Sequence, residues 1–290
     1  MSFLERKIGL QFQLGTGSFG ASGFNTVDVP DGLRISAQIT KAGGVSMTDL
    51  QLRVYGLSLD LMNTLSTLGK PLTDGRNNTV TVTAGDADIG MSTVFVGTIF
   101  QAWADMQAAP EGAFVVEAHT GLLDALRPLA PTSIKGYADA AFLISGLAQQ
   151  MGYTFENSGV SVKLSNPYLH GTGRDQILQL AEAAHINVLF DDTNIAIWPK
   201  GGQRNKSAVL ISPDTGLVGY PAWTANGLVL MTEFNPSITF GAPVQVQSSI
   251  TPACGSWTVF KVEHDLETQT PGGKWFTRLE ATVLGHTAIS

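Results

Sequence analysis

The glycines of Gly15-Thr-Gly17-Ser-Phe-Gly20 stand at the spacing of a dinucleotide-binding fingerprint and follow residues 6–14, whose alternation reads as a strand. In that motif the pyrophosphate rests on the N-terminus of the helix that the glycines open. Here Gly23, Asn25 and Pro30 follow in place of a helical pattern, so the run is expected to be a glycine-rich loop. Glu182 and His185 reproduce one Glu-x-x-His half of a carboxylate di-iron site, but no other helix carries the matching half. His185 is instead expected to end a helix, where an imidazole meets the negative end of the dipole.

Asp86 with Asp88, and Asp191 with Asp192, offer hard oxygen ligands. Neither pair has the ligand count or glycine-spaced loop of a calcium site, and turn chemistry accounts for both. Cys254 and His264 could be a thiol nucleophile and its base, yet no third group is visible to orient them. They are expected to be a small side chain and a surface histidine. Glu263 and Asp265 flank His264 on a strand, where neighbours point to opposite faces and cannot share a site. No residue is assigned a catalytic, cofactor-binding or metal-binding role, and no cofactor is expected.

The elements that position these residues are organised around residues 133–200. From Tyr137 to Met151 the apolar residues Ala140, Leu143, Ile144, Leu147, Ala148 and Met151 recur on one helical face, and Gly152 stops the helix. Val160 to Leu164 alternates as a strand and ends at Asn166-Pro167. Thr172 caps a second helix, with Asp175 in its first turn and Ile177, Leu180, Ala181 and Ala184 on its apolar side. Asn187–Phe190 and Ile195–Trp198 then form a hairpin through Asp191–Asn194. Helix, strand, helix and hairpin make a two-layer α+β module.

On either side the chain reads as β. Residues 6–14, 33–40, 50–54, 79–83, 93–103 and 113–118 are strand candidates, with a short helix after Ser58 carrying Leu61, Met62, Leu65 and Leu68. After Gly202 the candidates are 208–212, 227–231, 244–248, 257–262 and 275–284, separated by Gly, Pro and Asn. The fold class is thus α+β, mainly β. The expected division is a barrel-like domain over residues 1–118, a connector and α+β module over 119–202, and a second barrel-like domain over 203–290.

Composition narrows the function. At 290 residues with 43% hydrophobic content the chain can bury two or three cores. Charged residues make up only 14%, which suits a surface partly covered by neighbours. A net charge of −7 disfavours a grip on phosphate backbones. With Cys254 alone, no intramolecular disulfide and no cysteine-based zinc site can form. The first residues carry charges where a signal peptide needs apolar ones, and no window of about 20 apolar residues occurs. The chain is expected to be made in the cytoplasm, without a cleaved signal or membrane anchor.

The most specific stretch is Thr215-Gly-Leu-Val-Gly-Tyr-Pro-Ala-Trp223, with Asn226-Gly-Leu-Val-Leu-Met231, Phe234-Asn-Pro236 and Gly241-Ala-Pro-Val-Gln-Val-Gln-Ser248. It continues through Trp257-Thr-Val-Phe-Lys-Val-Glu-His-Asp-Leu266 to Gly272-Gly-Lys-Trp-Phe-Thr277. This resembles the baseplate hub proteins of contractile-tailed bacteriophages. Tyr153-Thr-Phe-Glu-Asn157, Val160 to Tyr168 and Ile195-Ala-Ile-Trp-Pro199 resemble the same family, so the likeness covers residues 130–285.

The resemblance implies two tail-tube-like β-barrel regions flanking the α+β module, and a homotrimer that closes a pseudo-sixfold ring. Implied partners are the tail tube protein, the central spike protein, and the tape measure and baseplate wedge proteins, with DNA only in transit through the lumen. The implied place is the tail baseplate of a virion, after synthesis in the host cytoplasm, with no catalysis. Two other classes remain as alternatives. One is a tail-associated peptidoglycan-degrading enzyme, although no carboxylate pair or zinc set supports it. The other is a host-surface carbohydrate-binding β module, suggested by Trp103, Trp198, Trp223, Trp257 and Trp275, most of which are expected in the core.

Overall fold

The structure is a computed structural model that describes residues 5–20, 23–43, 46–68 and 77–284. Its contacts divide the chain into two units. Unit 1 comprises Met1–Thr40, Asp49–Thr120 and His264–Phe276, and unit 2 comprises Lys41–Thr48, Gly121–Glu263 and Thr277–Ser290.

Unit 1 contains β1 (Lys7–Gln13), β2 (Thr26–Asp28), β3 (Ile35–Ala42, to Thr40), β4 (Asp49–Tyr55), α1 (Leu59–Leu65), β5 (Thr79–Asp86), β6 (Gly90–Asp105) and β7 (Ala113–His119). The ladder runs β3-β4-β7-β6-β5-β1-β2 with antiparallel neighbours. Alternate residues point inward, as the sequence pattern requires: Ile8, Leu10 and Phe12, then Ile35, Ala37 and Ile39, then Leu50, Leu52 and Val54 are all buried.

The long β6 breaks this rule at Val94 and Phe95, which are both buried. The β5–β6 register shifts there, at Val82/Thr83, and the β6–β7 register shifts at Ile99/Gln101. Each bulge adds a residue, bends the strand and flips its inward phase, which lets one strand follow a curved core. Ser58 caps α1, its Oγ accepting from the Leu61 amide at 3.3 Å. Just beyond the helix, the Thr67 amide donates to the Ala102 carbonyl at 2.8 Å. The Ala102 amide donates to Thr67 Oγ1, also at 2.8 Å, so β6 holds the end of the α1 segment.

Unit 2 begins its own elements with α2 (Leu122–Leu126), β8 (Thr132–Ser133), β9 (Tyr137–Asp139), α3 (Ala140–Gln150), β10 (Thr154–Asn157), β11 (Lys163–Ser165), β12 (Tyr168–Leu169), α4 (Gly173–Ala183), β13 (Ile186–Asp191) and β14 (Asn194–Pro199). The apolar faces of α3 and α4 pack on the sheet β10-β14-β13, with Ile144, Ile177, Leu180, Ile195 and Ile197 fully buried. Thr172 and Asp175 form a complete capping box on α4.

Three details depart from the sequence reading. Helix α3 starts at Ala140 and not Tyr137, because Tyr137–Asp139 pairs with β11 and the Asp139 carboxylate caps the helix by accepting from the Phe142 amide at 3.0 Å. Only the end of the expected Val160–Leu164 strand is paired; Val160 is instead held in a turn by both polar ends of the Asn157 side chain. Strand β10 was not expected and lies parallel to β14.

The remainder of unit 2 holds β15 (Val209–Ile211), β16 (Ala222–Thr224), β17 (Gly227–Glu233), β18 (Pro243–Val246), β19 (Gly255–Thr268, to Glu263) and β20 (Trp275–Thr282, from Thr277). The order is β16-β17-β20-β19-β18-β15, with β15 parallel to β18. Leu228, Leu230, Val244, Val246, Val259, Leu279 and Ala281 fill its core. At Gly227, with φ 135°, a Cβ would lie 2.2 Å from the Ala281 carbonyl oxygen, so the strands meet only because no side chain stands there.

The mainly β architecture around an α+β module agrees with the sequence. Barrel closure does not follow: among the described residues neither ladder closes on itself. Strands β2, β15 and β16 each have three residues and a single ladder partner. No helix among the described residues is long and apolar enough to cross a membrane.

Candidate functional site

The residues singled out from the sequence do not converge on a reaction centre. After Gly20 the next described element is a strand, β2, so Gly15, Gly17 and Gly20 open no helix. Asp86 Oδ1 accepts from the amides of Asp88 and Ile89 at 2.9 and 3.0 Å, a side-chain turn with no second ligand set. His185 follows α4 with φ 51°, completing the chain's exit from the helix. Glu182 lines an open groove of about 290 Å³ with His170, Asp175 and Gln179. Among the described residues no three His, Cys, Asp or Glu side chains gather as metal ligands.

Cys254 is exposed, and its thiol donates to the Ser248 carbonyl at 3.1 Å. His264 is a correction: it is buried and not at the surface. Along β19 the inward positions are Val262, His264, Leu266 and Thr268, so strand alternation puts the imidazole on the core side. Glu263 and Asp265 point the other way, as expected, and Asp265 stands 3.8 Å from Lys274.

What unit 2 builds instead is a buried ion cluster. Lys41 continues the inward phase of Ile35, Ala37 and Ile39 in β3, so its side chain is carried inside. Its Nζ donates to Asp191 Oδ1 at 2.9 Å and to Asp192 Oδ2 at 2.8 Å. Both carboxylates stand at the β13–β14 turn, where Asp192 takes φ 50°. Turn chemistry explains that backbone, while the carboxylates serve Lys41.

Arg204 is 1% exposed and makes a two-pronged bond to Glu156 of β10, at 2.9 Å from Nε and 2.5 Å from Nη2. Its Nη1 reaches the Phe240 carbonyl at 3.2 Å and Asp191 Oδ2 at 3.5 Å. Trp198 and Phe240 pack beside it, ring centroids 5.9 Å apart. Gly241, at φ 76°, leaves room for both; a Cβ there would stand 2.8 Å from the Trp198 ring and 3.1 Å from Arg204 Cδ.

Burial pulls the Lys41 ammonium down, but the charges of Asp192 and Asp191 outweigh it and hold it above the ordinary lysine value. Burial likewise raises Asp191, and Lys41 overcomes that to leave its carboxyl below the usual range. The Arg204 hydrogen bonds lower Glu156. Lys206, partly buried beside Arg204, is depressed by burial and by that neighbour's charge. The shifts of Lys41, Asp191 and Glu156 all favour their charged forms, which makes this a set of mutually satisfied ion pairs.

A second polar group supports the same module. Tyr153 Oη donates to Asp124 Oδ2 at 2.7 Å, and burial together with that carboxylate raises the phenol. The Arg174 guanidinium lies 4.4 Å from the Phe190 ring centroid, and burial lowers its pKa. These side chains fix α2, α4 and β13 in unit 2. The sequence reading missed Lys41, Glu156 and Arg204, although the phase of Lys41 in its strand was a visible signal.

The surface offers contact in place of chemistry. Trp198, Trp257 and Trp275 are buried as expected, but Trp223 is 56% exposed and meets Trp257 edge-on at 5.9 Å. Tyr137, Phe142, Tyr168 and Tyr220 are also exposed. Such side chains, in a chain with few surface charges, suit association.

A family model described as baseplate hub gp41 matches residues 11–276. No curated protein sequence matches significantly. Among solved structures, a tail protein from Neisseria meningitidis MC58 has a TM-score of 0.64 at 8% identity, covering 94% of this chain and 96% of its own. The 43 kDa tail protein of prophage MuSo2 from Shewanella oneidensis has a TM-score of 0.56 at 9% identity, covering 96% and 97%. An E. coli component of the type VI secretion system, described as structurally similar to the T4 bacteriophage tail proteins gp27 and gp5, has a TM-score of 0.56 at 8% identity, covering 87% and 74%.

Proposed function

The chain belongs to the baseplate hub gp41 family, and we propose that three copies close a pseudo-sixfold ring adapting the sixfold tail tube above to the threefold central spike below. The observation that carries this is the reach of the family match, which takes in both β regions and the α+β module. Residues 1–118 and 203–290 supply the two ring segments of each chain, and residues 119–202 the module between them. Two segments from each of three chains give the six positions that a sixfold tube requires.

The ring acts in the baseplate of a virion tail, or of a tail-derived injection machine, and DNA crosses its lumen without being gripped. The chain's net charge of −7 supports that last point, since phosphate binding needs clustered cations. A lumen lined mainly by Lys and Arg would refute it. Tube and spike are the direct partners, with tape measure and wedge proteins around them. The role is architectural and uses no catalytic residue, a point that clearing of peptidoglycan in a zymogram would overturn.

The test is to mix the full chain with its cognate spike protein and measure the mass of the complex by size exclusion with light scattering. Three hub chains on one spike trimer are expected, and no complex at any ratio would refute the assignment. One observation favours a second reading: the exposed indole of Trp223 fits a sugar-binding platform. Glycan-dependent quenching of tryptophan fluorescence, abolished by Trp223→Ala, would establish it.

A further inference from the structure

The α+β module carries a two-stranded ribbon with one open edge. Thr132 and Ser133 pair with Leu169 and Tyr168, and Tyr137, Ala138 and Asp139 pair with Ser165, Leu164 and Lys163. The Ile134 amide donates to the Pro167 carbonyl at 3.1 Å, the Asn166 amide donates to the Gly136 carbonyl at 2.6 Å, and the Ala140 amide donates to the Val162 carbonyl at 2.8 Å. The ladder bonds of residues 132–140 therefore fall on alternate residues, Ile134, Gly136, Ala138 and Ala140 among them. The amides and carbonyls of Ser133, Lys135 and Tyr137, and the amide of Asp139, face the other way. Among the described residues β8 and β9 have no second ladder partner.

The same alternation sorts the side chains. Ile134 and Ala138 turn inward and pack against the core of the module, yet both stay half-buried. Ser133, Lys135 and Tyr137 turn outward and are exposed, Tyr137 at 78%. The opposite strand offers no such row. Three of its residues, from Ser165 to Tyr168, span the four from Ser133 to Tyr137, so a bulge interrupts it at Asn166, where φ is 48°. Beyond the bulge the Gln179 side chain covers both backbone groups of His170, accepting from its amide at 3.3 Å and donating to its carbonyl at 2.8 Å.

The open edge also has a sign of charge. Lys135 and Lys163 are exposed, and neither forms an ion pair among the described residues. Asp139, on the same side, uses its carboxylate to cap α3 through the Phe142 amide. In a chain of net charge −7 this edge is locally positive.

We propose that the edge of residues 133–139 takes an extended acidic segment of another protein as the third strand of this ribbon. Outward amides and carbonyls hold such a segment, and alternate side chains select it. Residues 133 to 139 present these groups over about 20 Å, which matches a segment of about seven residues. One side of the added strand lies along Ile134 and Ala138 and takes apolar side chains, which close the half-buried rim of the core. Its other side lies along Lys135 and Tyr137 and takes a carboxylate for the ammonium. Tyrosine and lysine together could also meet a nucleic acid strand, but a row of unpaired ladder groups is matched by a peptide backbone. The inference concerns the module alone, and it stands or falls independently of the ring reading.

The probe is a seven-residue peptide alternating valine and glutamate, added at up to about 1 mM to the full chain, with residue-resolved amide exchange as the readout. It is expected to slow the amides of Ser133, Lys135, Tyr137 and Asp139 while leaving those of β10 and β16 unchanged. Lys135→Glu alters an exposed side chain, and its folding is checked by circular dichroism. This variant should need about fivefold more peptide for the same protection.

Unslowed exchange at those four amides would overturn the inference. So would equal protection of the wild type by a valine–lysine peptide, or an unchanged response in folded Lys135→Glu. Protection by an oligothymidylate and not by the acidic peptide would assign the edge to nucleic acid and overturn it too. The hub reading fails on a different result, the absence of a complex with the spike.

Discussion

Replacing Arg204 by methionine removes the guanidinium while keeping an unbranched side chain in the space beside Trp198. It deletes both bonds to Glu156, the bond to the Phe240 carbonyl and the approach to Asp191. Taking one partner from a buried ion pair costs about 3–5 kcal/mol, because the other charge is left without compensation. Glu156 is 29% exposed and can regain some water, and Asp191 keeps Lys41 at 2.9 Å, so the lower end, about 3 kcal/mol, applies. Adding Glu156→Gln removes the stranded charge and should return about 1–2 kcal/mol of that loss, which is the coupling between the two positions. The assay is urea unfolding of the four proteins of this cycle, with hydrogen exchange of residues 186–199 to locate the change in the β13–β14 sheet. An Arg204→Met loss below about 1 kcal/mol, the range of exposed pairs, would refute the buried-cluster reasoning. So would strictly additive losses.

The cluster also sets the pH range of unit 2. Glu156 and Asp191 titrate below their ordinary values, so their contribution is present above the unfolded-state carboxylate values of about 4 and is lost as pH falls through the depressed folded values. Lys41 is raised, so its contribution is lost only as pH rises past the ordinary lysine value of about 10.4. A melting temperature flat between these limits and falling in acid is expected; a maximum confined to neutral pH would contradict it. Thr172→Ala and Asp139→Ala should each cost about 1 kcal/mol through loss of a helix cap, as measured by urea midpoint. Thr172→Ala should lose more, because the reciprocal half of its capping box goes as well. Gly241→Ala should cost more than about 1–2 kcal/mol, since strain at φ 76° adds to the collision with Trp198.

Signals that act within a few residues were legible in the sequence. The Thr172–Asp175 cap, the Ser58 cap, the stop at Gly152 and the alternation of β1, β3 and β4 all needed only neighbours three or fewer positions away. Tyr137 was read into a helix; the Asp139 cap marks where the helix begins, and the pairing of Tyr137 with Ser165, 28 positions on, is what draws the preceding residues into a strand. Strand β10 had no pattern of its own; it becomes a strand by lying parallel to residues 194–197. His264 was read as a surface residue by type, although its place between Val262 and Leu266 already set it on the inward phase. Closure of a barrel is a property of edge pairing, and three residues beside a proline carry too little pattern to predict it.

The ion cluster shows the same limit and links it to function. Lys41 finds its partners 150 and 151 positions away, and Arg204 finds Glu156 at a distance of 48. No local rule could have joined them. Yet the charged fraction of 14% was visible from the start, and five of those charges lie at or below 29% exposure in this one cluster. The outer surface is therefore poorer in charge than the composition alone implies. Interface cores are depleted in just this way, with aromatic side chains taking the place of charges. Tyr137, Phe142, Tyr220 and Trp223 remain exposed on this charge-poor surface. In the proposed ring, contacts between neighbours should then use these exposed aromatic side chains, and a charge placed on one, such as Phe142→Glu, should weaken the proposed complex with the spike without lowering the stability of the free chain. Loss of stability in that variant, or an undiminished complex, would place the contact elsewhere.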